Sequence, residues 1–287
     1  MWSTLCLSFL VASSAVHGDE AVPRQIGNGT TVNKETVSFY VMGDGPYGSK
    51  GRDMFPSQLQ RLEHRPEFMI HLGDTHERQK DCNLTHFDAA ADIMLDNIPV
   101  PAFVLPGDTD WYECNDKIAS WNKWSERFFK FHENWPQLFD VKHQENRSEN
   151  FSFVHKRVLF LGVHILYVSV DDWDEWNKLV HDDTVWLKEQ FESFGNDVGA
   201  MVILGHAYAH PRRCKEFYDE LLLQAKAHDK PILYLHGDTH NFVVDRRFPS
   251  PNILRVVIDT TRDSDPMQVT VNPYSAVPFK LKRRPII

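Results

Sequence analysis

Cysteine is scarce in this 287-residue sequence, four in all, so a disulfide-dense scaffold is excluded as the source of its stability. Positive charge is short as well. Thirty-one Lys and Arg stand against 40 Asp and Glu, a formal net charge of −9. Phosphate backbones are gripped by clustered Lys and Arg, so this balance argues against a general nucleic-acid surface. The single basic run, Lys280-Leu281-Lys282-Arg283-Arg284, lies at the C-terminal end and reads as a solvated tail. Internal repeats and low-complexity segments are lacking. No stretch after the N-terminus approaches the ~18 continuous apolar residues that a membrane span requires.

What is present is ordinary globular material: 42% apolar and 25% charged residues, enough for a sizeable core in one large domain or two small ones. Residues 1–18 read as a secretory signal. Leu5 to Ala12 is a short apolar stretch, and Ser13-Ser14-Ala15-Val16-His17-Gly18 offers small residues for cleavage, although Met1-Trp2-Ser3-Thr4 supplies no basic start. Residues 19–36 read as a lead-in and 37–287 as the folded domain. Four sequons, at Asn28, Asn83, Asn146 and Asn150, agree with export as a glycoprotein, secreted or held in the secretory lumen. Cleavage leaves Cys82, Cys114 and Cys214, an odd number that permits one disulfide and one free thiol.

The informative pattern is an apolar run that ends in Gly and then a metal-competent side chain. It occurs at Val37 to Gly43-Asp44, Phe68 to Gly73-Asp74, Ala102 to Gly107-Asp108, Met201 to Gly205-His206 and Ile232 to Gly237-Asp238. Each run has the length and composition of a buried strand. Helix-forming segments at 54–64 and 86–95 separate the first three, which implies a mostly parallel sheet with crossover helices. Ligands bind beyond the carboxyl ends of such strands. Glycine there lets the chain turn sharply, and the next side chain points back over the sheet edge.

The remaining segments read as structural. The aromatics Trp121, Trp124, Phe128 and Phe129 fall on one face of a helix over 115–132. Residues 150–167 read as a hairpin, 182–194 and 215–228 as helices, and 132–150 as a surface insertion. The strand-rich stretches 241–259 and 267–282 are expected to build the second sheet of a sandwich.

Asp44, Asp74, Asp108, His206 and Asp238, with His240 two residues on, are read together at the end of one sheet. Two-metal hydrolysis needs such a set: hard anionic ligands, one carboxylate that can bridge, and imidazoles that complete the shell without added charge. The series Asp44-Gly45-Pro46, Gly73-Asp74, Gly107-Asp108-Thr109-Asp110, Gly205-His206 and Gly237-Asp238-Thr239-His240 resembles the ordered motifs of calcineurin-like metallophosphoesterases. Val185-Trp186-Leu187 before the Gly-His motif resembles the family too. Asp44-Gly45-Pro46-Tyr47 and Gly107-Asp108-Thr109-Asp110-Trp111 look most like a divergent branch.

The resemblance implies an α/β, four-layered αββα sandwich and a secreted phosphatase or phosphodiesterase that uses metal-activated water. It implies a small-molecule or surface phosphate ester as substrate, and one or two divalent ions. Asp44, Asp74 and His240 would hold the first ion; Asp74, Asp108, His206 and Asp238 would hold the second, with Asp74 bridging. Two departures stand out. Pro46 occupies a position where the family has a ligand histidine, and Thr109 one where it has the histidine that protonates the leaving oxygen. Threonine does not titrate near neutrality, so His76 and His210 become the nearest candidates for that role. A degenerate glycoprotein that binds metal or phosphate without turnover is the alternative. Arg212 and Arg213 are candidates to grip phosphate. Four carboxylates with two imidazoles favour Mg²⁺, Mn²⁺ or Fe over Zn²⁺. Cys82 and Cys114 follow Asp74 and Asp108 on loops that should be neighbours, which predicts a Cys82–Cys114 disulfide; a pairing of either with Cys214 is the competing outcome.

Overall fold

The computed structural model of the chain describes residues 36–62, 65–78 and 82–286. The expected signal segment, nearly all of the lead-in and Asn28 lie outside the described residues. Residues 35–287 form one compact unit.

The chain opens with three strands separated by helices: β1 (Val37–Met42), α1 (Gly48–Gln60), β2 (Met69–His71), α2 (Thr85–Asn97) and β3 (Ala102–Val104). Helix α3 (Lys117–Phe128) follows, begun by Asp116, whose carboxylate accepts from Ala119 N at 2.9 Å. A 3₁₀ turn (Phe131–Asn134) leads to β4 (Lys142–His143), then the hairpin β5 (Phe151–His155) and β6 (Val158–Gly162). Helix α4 (Trp173–Phe194) is capped by Asp172, which accepts from Asp174 N and Glu175 N. Strand β7 (Ala200–Leu204), α5 (Lys215–His228) and β8 (Ile232–His236) come next. The chain closes with β9 (Val243–Asp245), β10 (Ile253–Val257), β11 (Ser264–Val271) and β12 (Phe279–Pro285).

Two sheets result, in the orders β12-β11-β1-β2-β3 and β4-β5-β6-β7-β8-β10-β9. Within the first, β1, β2 and β3 are parallel neighbours, with Val41 opposite Ile70 and Ile70 opposite Phe103. Within the second, β6, β7, β8 and β10 run parallel. The period-2 alternation of β1 explains how the first sheet is covered on both faces. Val37, Phe39 and Val41 pack into the core between the sheets, whereas Tyr40 and Met42 pack with Phe55, Phe87 and Trp124 of α1, α2 and α3. On the far side, Leu159, Leu161, Met201 and Ile203 pack with Trp176, Leu187, Phe217 and Leu221 of α4 and α5. The four layers are therefore helices, sheet, sheet, helices. Phe68 sits in the inter-sheet core, stacked on Phe39 at 5.1 Å and edge-on to Phe160 at 5.0 Å. Truncating it to Ala would cost about 3–5 kcal/mol through lost transfer energy and the cavity left behind.

Several expectations need correction. The stretches 241–259 and 267–282 do not form the second sheet together. Strands β9 and β10 extend the sheet of β7 and β8, while β11 and β12 extend the sheet of β1, antiparallel to it. The first helix is displaced toward the N-terminus of the expected 54–64, and α4 starts nine residues before 182. Residues 132–150 are not a loose insertion. His132, Gln144, Glu149 and Asn150 are buried, and Phe139 packs against the inter-sheet core. The basic C-terminal run is no tail but edge strand β12, where Arg283 makes a forked pair with Asp259 and its guanidinium covers the Phe242 ring. Charged side chains on an edge strand discourage pairing with another chain.

Asn150 is withdrawn as a glycan acceptor. It is 0% exposed, its amide nitrogen donates to Gln144 Oε1 and Asp183 Oδ1 at 2.7 Å, and its oxygen accepts from His164 N. Asn83 and Asn146 are exposed.

Candidate metal centre

The five Gly-terminated strand ends do not lie on one sheet, as expected from the sequence, but on two. β1, β2 and β3 deliver Asp44, Asp74 and Asp108, and β7 and β8 deliver His206 and Asp238. The two sheets meet at these ends. His206 Nδ1 donates to Leu72 O at 2.9 Å, Gly237 N to His206 O at 2.8 Å, and Asp238 N to Asp44 Oδ1 at 3.1 Å. Close approach explains two glycines: a Cβ on Gly107 would fall on Asp74 Oδ1, and one on Gly237 on Asp44 Oδ2. Asp44, Asp74, Asp238 and His240 all adopt positive φ, between 51° and 70°. Non-glycine residues held there store roughly 1–3 kcal/mol each, a cost that collects at functional sites.

Two overlapping ligand groups form. Asp74, Asp108 and His206 come together fully buried; Asp44, Asp74 and His240 come together with His240 exposed. Asp74 belongs to both. His206 Nδ1 donates its proton to a carbonyl, so in the neutral imidazole Nε2 carries the lone pair. That atom is buried without a hydrogen-bond partner and faces Asp74 Oδ1 at 3.5 Å and Asp108 Oδ1 at 3.6 Å. A lone pair set against two carboxylate oxygens is repulsive unless a proton or a metal cation lies among them. The acids show the same tension. Burial, and then the carboxylates of Asp238 and Asp108, push Asp44 up to about 7 against the pull of His206. Asp74 is raised well above the usual range by burial and by Asp108, Asp110 and Asp44. Asp238 is pushed to about 6 by burial, with Asp108 and Glu113 adding to it. His206 is raised in spite of burial, because Asp74, Asp108 and Asp44 surround it. Divalent cations fit this donor set and would relieve it.

Other expected residues fall elsewhere. Thr109 is beside Asp74, but its hydroxyl donates to His76 O at 2.8 Å and its N–H to Asp74 Oδ1 at 3.1 Å. The His76 ring lies with the Cys82–Cys114 disulfide and edge-on to Phe87, and groups with the sulfurs and not with the carboxylates. His210 is half-buried between Tyr167 and Tyr208. Arg212 is exposed, and Arg213 lies over the Trp173 ring. The disulfide matches the expected pairing, and Cys214 is free and buried.

Three residues absent from the expected set hold the centre. Tyr47 donates to Asp74 Oδ2 at 3.3 Å and its ring sits 5.8 Å from that of His240. Asp110, 0% exposed, accepts from Gly107 N, Asp74 N, Thr75 N and Thr75 Oγ1, at 2.7–2.9 Å, and so clamps the β2 and β3 loops together. His71 accepts from Gly73 N on Nδ1 and therefore donates from Nε2 to Gly45 O, at 2.7 Å. Tyr47 and Asp110 both sit in the strand-end motifs; His71, inside a strand run, carries no signal that separates it from core.

Residues 41–242 match the family described as calcineurin-like phosphoesterase, and the chain belongs to that family. Its fold is similar to that of GAP50, the anchor in the inner membrane complex of Plasmodium, at 13% identity and a TM-score of 0.55, covering 88% of this chain and 89% of that one. It is similar also to a 5'-nucleotidase from Candida albicans, at 14% identity and a TM-score of 0.50, covering 86% of this chain and 51% of the nucleotidase chain. No curated protein matches the sequence. Among the described residues no helix is long and apolar enough to cross a membrane.

Proposed function

We propose that this chain is an exported, metal-dependent hydrolase of phosphate mono- or diesters. The observation that carries the reading is the bare Nε2 of His206 facing Asp74 and Asp108, with Asp44 and His240 grouped on the far side of the same Asp74. When bound, divalent ions would activate water and neutralise the phosphoryl oxygens. Asp74, Asp108, His206 and Asp238 would hold one ion; Asp44, Asp74 and His240 would hold the other. The donor chemistry favours Mg²⁺, Mn²⁺ or Fe over Zn²⁺.

The chain's own residues supply orientation. Asp110 holds the backbone N–H of Asp74, while the Thr109 N–H on Oδ1 and the Tyr47 hydroxyl on Oδ2 fix its carboxylate. Proton delivery to the leaving group is the weak link. Thr109 has its hydroxyl proton committed to His76 O, and the His76 ring packs with the disulfide. Aryl esters, whose leaving groups need little protonation, should therefore be turned over faster than alkyl esters. A non-catalytic metal or phosphate binder is the second reading, favoured by Pro46 and Thr109 in the two departed positions.

Elemental analysis of protein purified from a secreting host, paired with aryl phosphate mono- and diester assays across added Mg²⁺, Mn²⁺, Fe²⁺ and Zn²⁺, tests the proposal. Metal-dependent turnover supports the hydrolase; bound metal without turnover of either ester transfers the site to the binder. Export rests on the Leu5–Ala12 stretch, the exposed sequons Asn83 and Asn146, and a disulfide between loops. A chain that stays intracellular with unmodified Asn83 and Asn146 would end that part of the reading.

A further inference from the structure

Behind Thr109, on the side away from Asp74, lies a second group of metal-competent atoms. Cys82 Sγ, Cys114 Sγ and a ring nitrogen of His76 all sit within 4.8 Å of one another. The sulfurs are joined, and a disulfide sulfur is no ligand. The histidine nonetheless has a nitrogen free to act as one. His76 is 1% exposed; its Nδ1 donates to Glu77 O at 2.8 Å, so Nε2 carries the lone pair, and that atom is buried with no hydrogen-bond partner. His86 Nδ1 is buried without a partner too, on a ring 6.2 Å from that of His76. Buried polar atoms are nearly always paired, so two bare imidazole nitrogens, one of them on the ring grouped with the cystine, call for a physical account.

We infer that Cys82, Cys114 and His76 form a redox-gated site for a thiophilic divalent cation such as Zn²⁺, available only when the disulfide is open. A thioredoxin-class dithiol supplies the electrons: the Cys82–Cys114 bond breaks, the dithiol closes to its own disulfide, and two cysteine thiols are left. The cation displaces their two protons and takes both thiolates with His76 Nε2, a sulfur-rich set that suits zinc as the oxygen-rich central site does not. His86 Nδ1 offers a fourth donor after rotation of its ring.

The cluster is wired to the central site through one residue. Thr109 O lies 3.5 Å from Cys114 Sγ and 3.9 Å from Cys82 Sγ, its hydroxyl donates to His76 O, and its N–H donates to Asp74 Oδ1. Separation of the sulfurs around a cation moves the carbonyl of the residue that orients Asp74.

Cobalt(II) titration reads the site without reference to turnover, because only a thiolate ligand gives a sulfur-to-cobalt charge-transfer band and the central carboxylates and imidazoles cannot. In a Cys214→Ser background, dithiol-reduced protein should develop the band and oxidised protein should not. His76→Ala should weaken the affinity behind it by more than about tenfold, since loss of a residue merely behind a ligand already costs about 10–100-fold. Should reduction unfold the chain, Zn²⁺ should restore the near-ultraviolet circular dichroism of the protein with His76 and not of His76→Ala. Absence of the band in folded reduced protein, failure of Zn²⁺ to restore the unfolded one, or equal behaviour of His76→Ala in either assay overturns the inference.

Discussion

The two halves of the metal centre share Asp74 and differ in almost everything else. The half made by Asp74, Asp108 and His206 is buried throughout, with the His206 side chain 0% exposed and its tautomer fixed by Leu72 O. The half made by Asp44, Asp74 and His240 has a buried carboxylate on one side and, on the other, an imidazole 43% exposed whose Nε2 stands 3.7 Å from Asp44 Oδ1. A buried, pre-oriented set loses little freedom when a cation arrives and has much desolvation to be relieved. An open set with an exposed imidazole has less of both, and Pro46 adds no donor atom to it. The difference teaches that the inequality of affinity expected from Pro46 is deepened by burial, which the motifs do not show.

Asp74→Asn tests what the halves have in common, and its effect should be the largest. Removal of the shared charge should lower metal retention by about a thousandfold, or about 4 kcal/mol, at both positions. Elemental analysis after dialysis should find neither ion; retention of one would show that the halves are independent. Replacement of Cys82 and Cys114 by Ser, which unties the β2 and β3 loops, should cost about 3–4 kcal/mol of stability in urea unfolding. It should also loosen the buried half more than the open one, because Asp74 and Asp108 ride on those loops. Equal weakening of the two would break the link between tether and site.

His206→Gln against His240→Gln sharpens the comparison directly. The buried replacement should lower affinity for the tighter ion by about 100-fold and the exposed one that for the weaker ion by about tenfold. Calorimetric titration that returned the reverse order would overturn the ranking. The smallest effect belongs to Tyr47→Phe, which removes one hydrogen bond to Asp74 Oδ2. It should cost about 0.5–1.5 kcal/mol, seen as a few-fold weaker metal binding at most. A larger loss would mean that the phenol oxygen touches an ion or the substrate.

How much of this was legible beforehand follows from where each signal lives. Local signals were read well. Five apolar runs ending in Gly gave five buried strands, and 215–228 gave a helix with those bounds, because periodicity and turn chemistry act within a few residues. Segment 132–150 misled because its polar residues serve a buried network: Glu149 carboxylate to His164 Nδ1 at 2.9 Å, Asn150 to Gln144 and Asp183. Polarity in sequence carries no mark that distinguishes solvated groups from mutually satisfied ones. The same limit turned Asn150 from an apparent sequon into a core residue.

By itself, then, the sequence determined the strands, the turns after them and the chemical character of each candidate ligand, since side-chain identity and chain geometry are local properties. Tertiary structure decided how the strand ends were shared. Three fall on one sheet and two on the other, and Asp238 N reaches Asp44 Oδ1 across the gap between chain positions 194 residues apart. It also decided that Tyr47 turns toward Asp74, that Asp110 looks inward to four donors, and that His76 turns from the acids to the cystine. Those outcomes depend on which surfaces pack against which, and packing is settled by the whole core at once rather than by any single stretch of chain.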